Sequence, residues 1–286
     1  MIKELRSIEE YKNLLKEFRT VCRRPFSNIY FMPEDLERYI DMGRASYEKE
    51  EYGIILFLDE DRYYRACLYV DEKQKFEIPA RDKRILVRNI YRTRQKNDGL
   101  EAIRERLKIL GFKQEGTSVQ IQGNPNELLL NFKSIEKYAK EMEKRGYCCI
   151  IPDFSRFKEI EDMIIESGII KDYHIIYRTE EEKKALTPGT YLCMVNNRYE
   201  ICAASILNIN LMEGICQDGI IVVQEKYKMK GFAPIMAYQR YKWLCNNNIQ
   251  NIQGWILTHN EPSLKYHKSL GFRFIDKYSE EWLLDV

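Results

Sequence analysis

The stretch Val223-Gln224-Glu225-Lys226-Tyr227-Lys228-Met229-Lys230-Gly231-Phe232-Ala233-Pro234 changes character twice within a few residues. An apolar, β-branched run from Gly219 to Val223 ends, lysines crowd the following loop, and Gly231 opens the way into a helix. Pro234 suits a first helical turn, where its missing N–H is no loss. The periodicity predicts a helix from Pro234 to about Asn247 that buries Ala237, Tyr238, Tyr241, Leu244 and Cys245. Free backbone N–H groups at such a helix start, beside lysines, form a site for a diphosphate. The same residues also fit a solvated turn with a basic surface.

Working outward, a strand is predicted at Ile252–Leu257 and a helix around Leu264–Leu270, followed by two strands split near Tyr278-Ser279. Upstream lie a strand-like run from Tyr147 to Ile151 and a helix with Phe157, Ile160 and Ile164 on one face. A charged segment, Glu180 to Leu186, follows, then strands at Tyr191–Val195 and Glu200–Leu211 joined through Asn196-Asn197.

The first half follows a similar order. Ser7 and Glu10 form a capping box for a helix that ends by Arg24-Pro25, and a second helix starts at Pro33 and ends at Gly43. Strands are predicted at Tyr52–Leu58 and Tyr63–Val70, around the acidic turn Asp59-Glu60-Asp61, and again along Arg84 to Arg94. A helix with Leu100, Ile103, Leu107 and Leu110 on one face stops at Gly111-Phe112. Arg62-Tyr63 matches Arg198-Tyr199, and Leu110-Gly111-Phe112 matches Leu270-Gly271-Phe272, so the chain reads as a duplication. The turn-forming cluster Gly123-Asn124-Pro125-Asn126 places the boundary nearby, giving domains 1–132 and 133–286.

Lys228-Met229-Lys230-Gly231-Phe232-Ala233 resembles the pyrophosphate loop of the GNAT superfamily, Arg/Gln-x-x-Gly-x-Gly/Ala, with Lys228 departing at the first position. Asn260-Glu261-Pro262-Ser263-Leu264-Lys265-Tyr266-His267-Lys268-Ser269-Leu270-Gly271-Phe272 resembles the family's second block, Asn-x-x-Ser/Ala followed by an aromatic and Gly-Phe. The resemblance implies an α+β fold of two tandem GNAT-like domains, each a mixed, mostly antiparallel sheet flanked by helices.

It also implies an acyl-CoA-dependent N-acyltransferase, with acetyl-CoA or another acyl-CoA as co-substrate and no metal. In that family the fourth and fifth strands splay apart around the pantetheine arm. Carried over by position, Ile221, Val222 and Val223 offer strand backbone to the arm and thioester, the 228–233 loop holds the diphosphate, and Asn260 contacts the arm. A neutral amine attacks the thioester directly, and a strand N–H stabilises the oxyanion. The general acid that protonates the thiolate falls on His267, four residues before Gly271, with Tyr266 beside it as the alternative. Asp218 is the candidate base; Glu213, Glu225 and His259 lie near the same strands.

The first half has no such loop, and Leu107 stands where His267 stands in the second, so a degenerate copy is expected. Arg84, Arg88, Arg92 and Arg94 share one strand parity there. They are read either as a holder for an acidic acceptor or as an exposed face paired with acids such as Asp59, Glu60 and Asp61.

Composition narrows the alternatives. The formal charge is +2, which gives no bulk case for nucleic acid, and no apolar run approaches the ~20 residues that span a bilayer. The N-terminus mixes acids and bases and does not read as a secretory signal. Eight cysteines without a C-x-x-C pair, several in apolar runs, fit reduced thiols in a cytoplasmic protein. The expected acceptor is an amine on a small molecule, peptide or protein, and the expected state a monomer or homodimer. Competing readings are an aminoacyl-tRNA-dependent transferase and a non-catalytic CoA-binding or interaction module.

Overall fold

The computed structural model describes residues 1–31, 33–93, 99–168 and 183–285; Arg94 and the start of the charged segment at 180–186 lie outside them. The chain divides into two compact units, Met1–Val119 with Asp276–Val286, and Gln120–Ile275. The sequence-based cut at 132/133 is a single point along the chain. Compactness instead divides it at 119/120 and returns the final strand to the first unit.

The first unit runs β1 (Lys3–Glu4), α1 (Ile8–Val21), β2 (Phe26–Ser27), α2 (Pro33–Asp41), β3 (Ala45–Glu50), β4 (Gly53–Asp59), β5 (Tyr63–Val70), β6 (Arg84–Tyr91) and α3 (Leu100–Ile109), and then enters β7 (Lys113–Gly123). Ser7 Oγ caps α1 by accepting from Glu10 N at 3.1 Å, while the Glu10 carboxylate accepts from Arg6 N at 2.8 Å. The reciprocal bond of the capping box is thus made one residue upstream of its usual place.

β4 is apolar from Ile54 to Leu58 because both its faces are covered there. Ile54, Leu56 and Leu58 join Leu14, Phe18 and Leu36 on the side of α1 and α2, and Ile55 and Phe57 join Ile103 and Leu107 of α3. β3 is absent from the sequence reading because only Ala45 and Tyr47 turn inward, and Ser46 and three charged side chains fill the rest of the strand.

The second unit continues with α4 (Pro125–Leu129), α5 (Lys133–Lys144), β8 (Cys148–Ile150), α6 (Phe157–Glu166), β9 (Tyr191–Val195), β10 (Ile201–Ile206), β11 (Asn208–Asn210), β12 (Ile215–Gln217), β13 (Ile221–Val223), α7 (Phe232–Asn246), β14 (Asn251–Leu257), α8 (Glu261–Ser269) and β15 (Arg273–Leu284). The expected strand at 200–211 is two strands, and the expected linker cluster at 123–126 is the end of β7 and the Asn124 cap of α4. Val222 faces α6 with Ile160 and Ile164, whereas Ile221 and Val223 pack on the side of α7.

The two strands expected at the C-terminus form one, β15, whose residues from Asp276 onward belong to the first unit. There it lies antiparallel to β6, with Glu281 opposite Arg88 and Trp282 opposite Val87. The polar run Tyr278-Ser279-Glu280 resembles a turn in sequence. In the first unit it is a buried strand segment, with Ser279 and Glu280 both enclosed.

One duplication anchor holds. Gly111 and Gly271 each follow a helix and precede a long strand, with φ of 87° and 94°, a backbone that favours glycine. The other anchor aligns turns of different hairpins. Arg62-Tyr63 leads into β5, the strand paired in parallel with β6, but Arg198-Tyr199 leads into β10, whose partners are antiparallel.

Candidate functional site

The chain from Ile215 to Val223 changes partners midway. β12 pairs in parallel with β14, Ile215 opposite Asn251 and Gln217 opposite Gln253. Asp218 N donates the last bond, to Gln253 O. Beyond it, Ile220 O accepts from Ile206 N at 3.2 Å, and β13 runs antiparallel to β10 with Val223 opposite Ala203. Gly219 permits the switch: a Cβ there would meet Ile206 O at 1.9 Å, so only glycine lets the two backbones approach this closely.

Two neighbouring strands therefore begin together and part at Asp218. Ile220 O and Gln224 N bond to β10, and bonding alternates along an antiparallel strand. The N–H and C=O groups of Ile221 and Val223 thus face away from β10, toward the side where β14 has departed. Val222 bonds to β10 and packs its side chain under α6.

The lysine loop follows. A short 3-10 turn, Glu225–Tyr227, leads to Lys228; Met229 has φ 62° and is fully exposed, and Gly231 at φ 72° starts α7. Tyr138 of α5 donates from its hydroxyl to Lys230 O at 3.0 Å and crowds Gly231, where a Cβ would lie 2.8 Å from the ring. The Phe232 side chain is buried against Tyr147 and Tyr227, so only its backbone is placed to meet a ligand. The N–H groups of Phe232 and Ala233 sit in the first turn, before intrahelical acceptors exist. Lys228 is 2.5 Å from Glu225, an exposed pair that a stronger anion could displace.

The three expected catalytic side chains converge. Asp218 stands at the parting of the strands, and Tyr266 and His267 project from α8. His267 Nδ1 lies 2.8 Å from Ser263 O, which fixes the proton-bearing nitrogen on that side, and Nε2 faces Asp218 Oδ2 at 3.7 Å. Phe272 packs edge-on against the imidazole at 5.2 Å between centroids. Asn260 caps α8, its side chain accepting from Ser263 N at 3.2 Å, which leaves its amide nitrogen for other contacts. Among the other base candidates, Glu213 and Glu225 lie in turns, and His259 precedes α8.

A fourth residue, absent from the sequence reading, completes the cluster. Arg240 of α7 is 1% exposed and binds Asp218 Oδ1 through Nη2. Its signal in the sequence was a charged residue among Met236, Ala237, Tyr241 and Leu244, on a helix buried nearly all round. Among the described residues Arg240 Nε and Tyr266 Oη are buried without a hydrogen-bond partner. Burial pushes the Tyr266 phenol up to about 12 and the neighbouring Cys216 thiol to about 12, so both stay protonated at neutral pH. One oxygen of Asp218 is held by the buried Arg240 guanidinium and the other faces His267, a placement that favours an orienting role.

In the arginine row of the first unit, Arg88 pairs with an acid, but not with one of the three named. Arg88 donates to Glu281 Oε1 through Nε at 3.0 Å and Nη2 at 2.5 Å, while Asp59, Glu60 and Asp61 bind Lys83, Arg65 and Arg44. Arg84 and Arg92 also have partners, and Arg94 lies outside the described residues.

All eight cysteines are free thiols. Among the described residues no group of three or more His, Cys, Asp or Glu is placed to hold a metal ion, and no helix is long and apolar enough to cross a membrane.

No family model matches the chain, and no curated protein matches it in sequence. Solved structures do resemble it. A tandem GNAT protein from the clavulanic acid biosynthesis pathway is 10% identical, with 100% of this chain and 98% of that one covered at a TM-score of 0.55. The GCN5-related glucosamine N-acetyltransferase region of a fungal multi-domain β-N-acetylglucosaminidase is 8% identical at a TM-score of 0.65; 99% of this chain matches 38% of that one. A GCN5-related N-acetyltransferase from Sphaerobacter thermophilus is 10% identical, with 89% and 85% covered at a TM-score of 0.53. At these identities the likeness shows the fold alone: both halves have an α+β architecture similar to that of tandem GNAT structures.

Proposed function

We propose that the second unit is an acyl-CoA-dependent N-acyltransferase that moves an acetyl group from acetyl-CoA to a primary amine. The partner switch at Asp218–Ile220 carries this reading: it leaves the backbone of Ile221 and Val223 facing the space β14 has vacated, just upstream of a basic loop and helix start. A pantetheine arm has amide donors and acceptors spaced like a peptide's, and a strand edge meets them as it would another strand. Lys228 and Lys230, with the N–H groups of Met229 to Ala233, suit the diphosphate; Lys228 acts as a point charge rather than a planar donor pair. The amide nitrogen of Asn260 is available to the arm.

The chemistry follows from these positions. The amine nitrogen forms a bond to the thioester carbonyl carbon, and a strand N–H at Ile221 or Val223 steadies the oxygen's growing charge. As the carbon–sulfur bond breaks, the imidazolium of His267, which carries a proton on Nε2 as well as on Nδ1, delivers the Nε2 proton to the sulfur, and the amine's surplus proton leaves to water. Asp218 aims the imidazole, and Tyr266 is the reserve donor. The acceptor is an amine on a small molecule, peptide or protein.

Calorimetry with acetyl-CoA tests the donor site. Native protein is expected to bind at micromolar concentration and Gly231→Asp to lose binding. Because a Cβ at Gly231 presses on Tyr138, Lys228→Glu/Lys230→Glu serves as a second variant that leaves this packing intact. An absence of binding by the folded native protein would overturn the acetyl-CoA reading.

A further inference from the structure

We infer that Arg240 is a positioning residue that sets how tightly Asp218 holds the proton of His267. Its use in catalysis rests on the acyl-transfer reading, but the arrangement can be tested without any substrate.

Asp218 is shared between the Arg240 guanidinium and the His267 imidazole. One oxygen is taken by the Arg240 guanidinium, and the other faces His267 Nε2 at 3.7 Å. That distance is too long for a hydrogen bond and short enough for strong Coulombic attraction, and the side chains of Asp218 and Arg240 are 7% and 2% exposed. A bare carboxylate there would hold the imidazolium proton tightly and keep it from a departing thiolate. With its charge largely answered by Arg240, Asp218 can aim the ring while leaving the proton transferable. Ser263 O fixes the opposite nitrogen, so rotation of the ring does not relieve the arrangement.

The ring itself meets Asp218 from the strands, Ser263 and Tyr266 from α8, and Phe272 from the turn into β15, while Arg240 and Tyr241 of α7 and Cys216 of β12 gather around Asp218. Tyr241, Tyr266 and Cys216 are held neutral by burial, so Asp218 and Arg240 are the charged members of this cluster beside His267.

The experiment follows the His267 ring resonance by NMR in full-length protein across pH, assigned by its loss in His267→Gln. In Arg240→Gln the carboxylate loses its counter-charge, so the titration midpoint should rise by about one pH unit. In Asp218→Asn the imidazole keeps a cation nearby and loses its anion, so the midpoint should fall by a similar amount. The double variant should lie between them. Shifts of opposite sign are not what loosened packing produces. Should Arg240→Gln fail to fold, Asp218→Asn against the double variant carries the same test, because the double variant removes both buried charges together. Midpoints that coincide in folded variants would overturn the proposal. Where acetyl-CoA turnover is measurable, the high-pH limb of kcat should move with the NMR midpoint. Opposite NMR shifts without turnover would keep the Arg240 assignment and count against the enzyme reading instead.

Discussion

The two units hold the same opening in different states. In the first, β5 and β6 run in parallel as far as Ala66 and Val87, and beyond that point β5 takes β2 as its neighbour, Ser27 opposite Tyr69 and Phe26 opposite Val70. Asn28 then bridges the parted strands. Its Oδ1 accepts from Leu68 N at 2.6 Å, and its Nδ2 donates to Arg88 O at 3.0 Å, while the Tyr30 hydroxyl donates to Ile90 O at 2.5 Å. In the second unit β12–β13 and β14 part in the same sense, and the backbone of Ile221 and Val223 looks into the gap. One unit satisfies its parted strands with its own chain. In the second, among the described residues, no strand pairs with that edge of β13, and the lysine loop and α7 follow it; the first crosses from Val70 to Arg84 without a helix. The units thus differ in backbone as well as side chains: in the first, its own peptide occupies the space between the parted strands.

The largest effect should come from the polar core of the filled unit. Glu280 is fully buried and accepts from Asn89 Nδ2 at 2.9 Å, Arg104 Nη2 at 2.6 Å and Trp282 Nε1 at 3.0 Å. Glu280→Ala leaves these donors without their carboxylate, at a cost of about 3 kcal/mol in urea unfolding. Acetyl-CoA affinity should stay within twofold in the folded fraction. A large loss of affinity would mean that the filled unit contributes directly to the donor site.

Asn28→Ala attacks the plug itself. It removes the acceptor of a buried N–H and the donor to Arg88 O, so it should cost about 2–3 kcal/mol. The calorimetric stoichiometry for acetyl-CoA should remain one per chain, because the first unit still lacks the loop and helix. A stoichiometry of two would show that the plug alone separates the units.

Gly219→Ala strikes the open unit at its partner switch. The added Cβ must push β13 from Ile206 O, an overpacking that costs about 2 kcal/mol. Because the displaced strand is the proposed wall for the arm, acetyl-CoA binding should weaken roughly tenfold, about 1.4 kcal/mol. Destabilisation with unchanged affinity would separate the bend from donor binding.

The sequence displayed the parts of this comparison unevenly. β4 and β9, apolar on both faces, and the lysine loop before α7 were legible because local pattern and burial agree there. β3 was not, since charges fill most of its outward positions, nor was the single strand β15, whose Tyr278-Ser279-Glu280 segment is polar yet enclosed by Asn89, Arg104 and Trp282. Asp218, Tyr266 and His267 were named without any means of knowing that they meet. Arg240 was missed because its partner lies on another element, and pattern alone treats an arginine within a helix as solvated. The plug at Phe26–Tyr30 carries no periodicity at all; only its hydrogen bonds identify it.

The smallest effect should fall on Arg88, where sequence parity suggested an acceptor site. Its guanidinium places both nitrogens on one oxygen of Glu281, and its side chain remains 41% exposed. Such a pair is partly screened by water, so Arg88→Ala should cost no more than about 1 kcal/mol, and less at high salt. Arg88→Ala and Glu281→Ala should each lower stability slightly, and the double variant should cost less than their sum, the mark of a direct pair. Acceptor KM, once an acceptor is found, should not move. A raised KM in Arg88→Ala that Glu281→Ala does not reproduce would return the arginine to the acceptor, and the filled unit would then have kept a part in recognition after giving up its own donor gap.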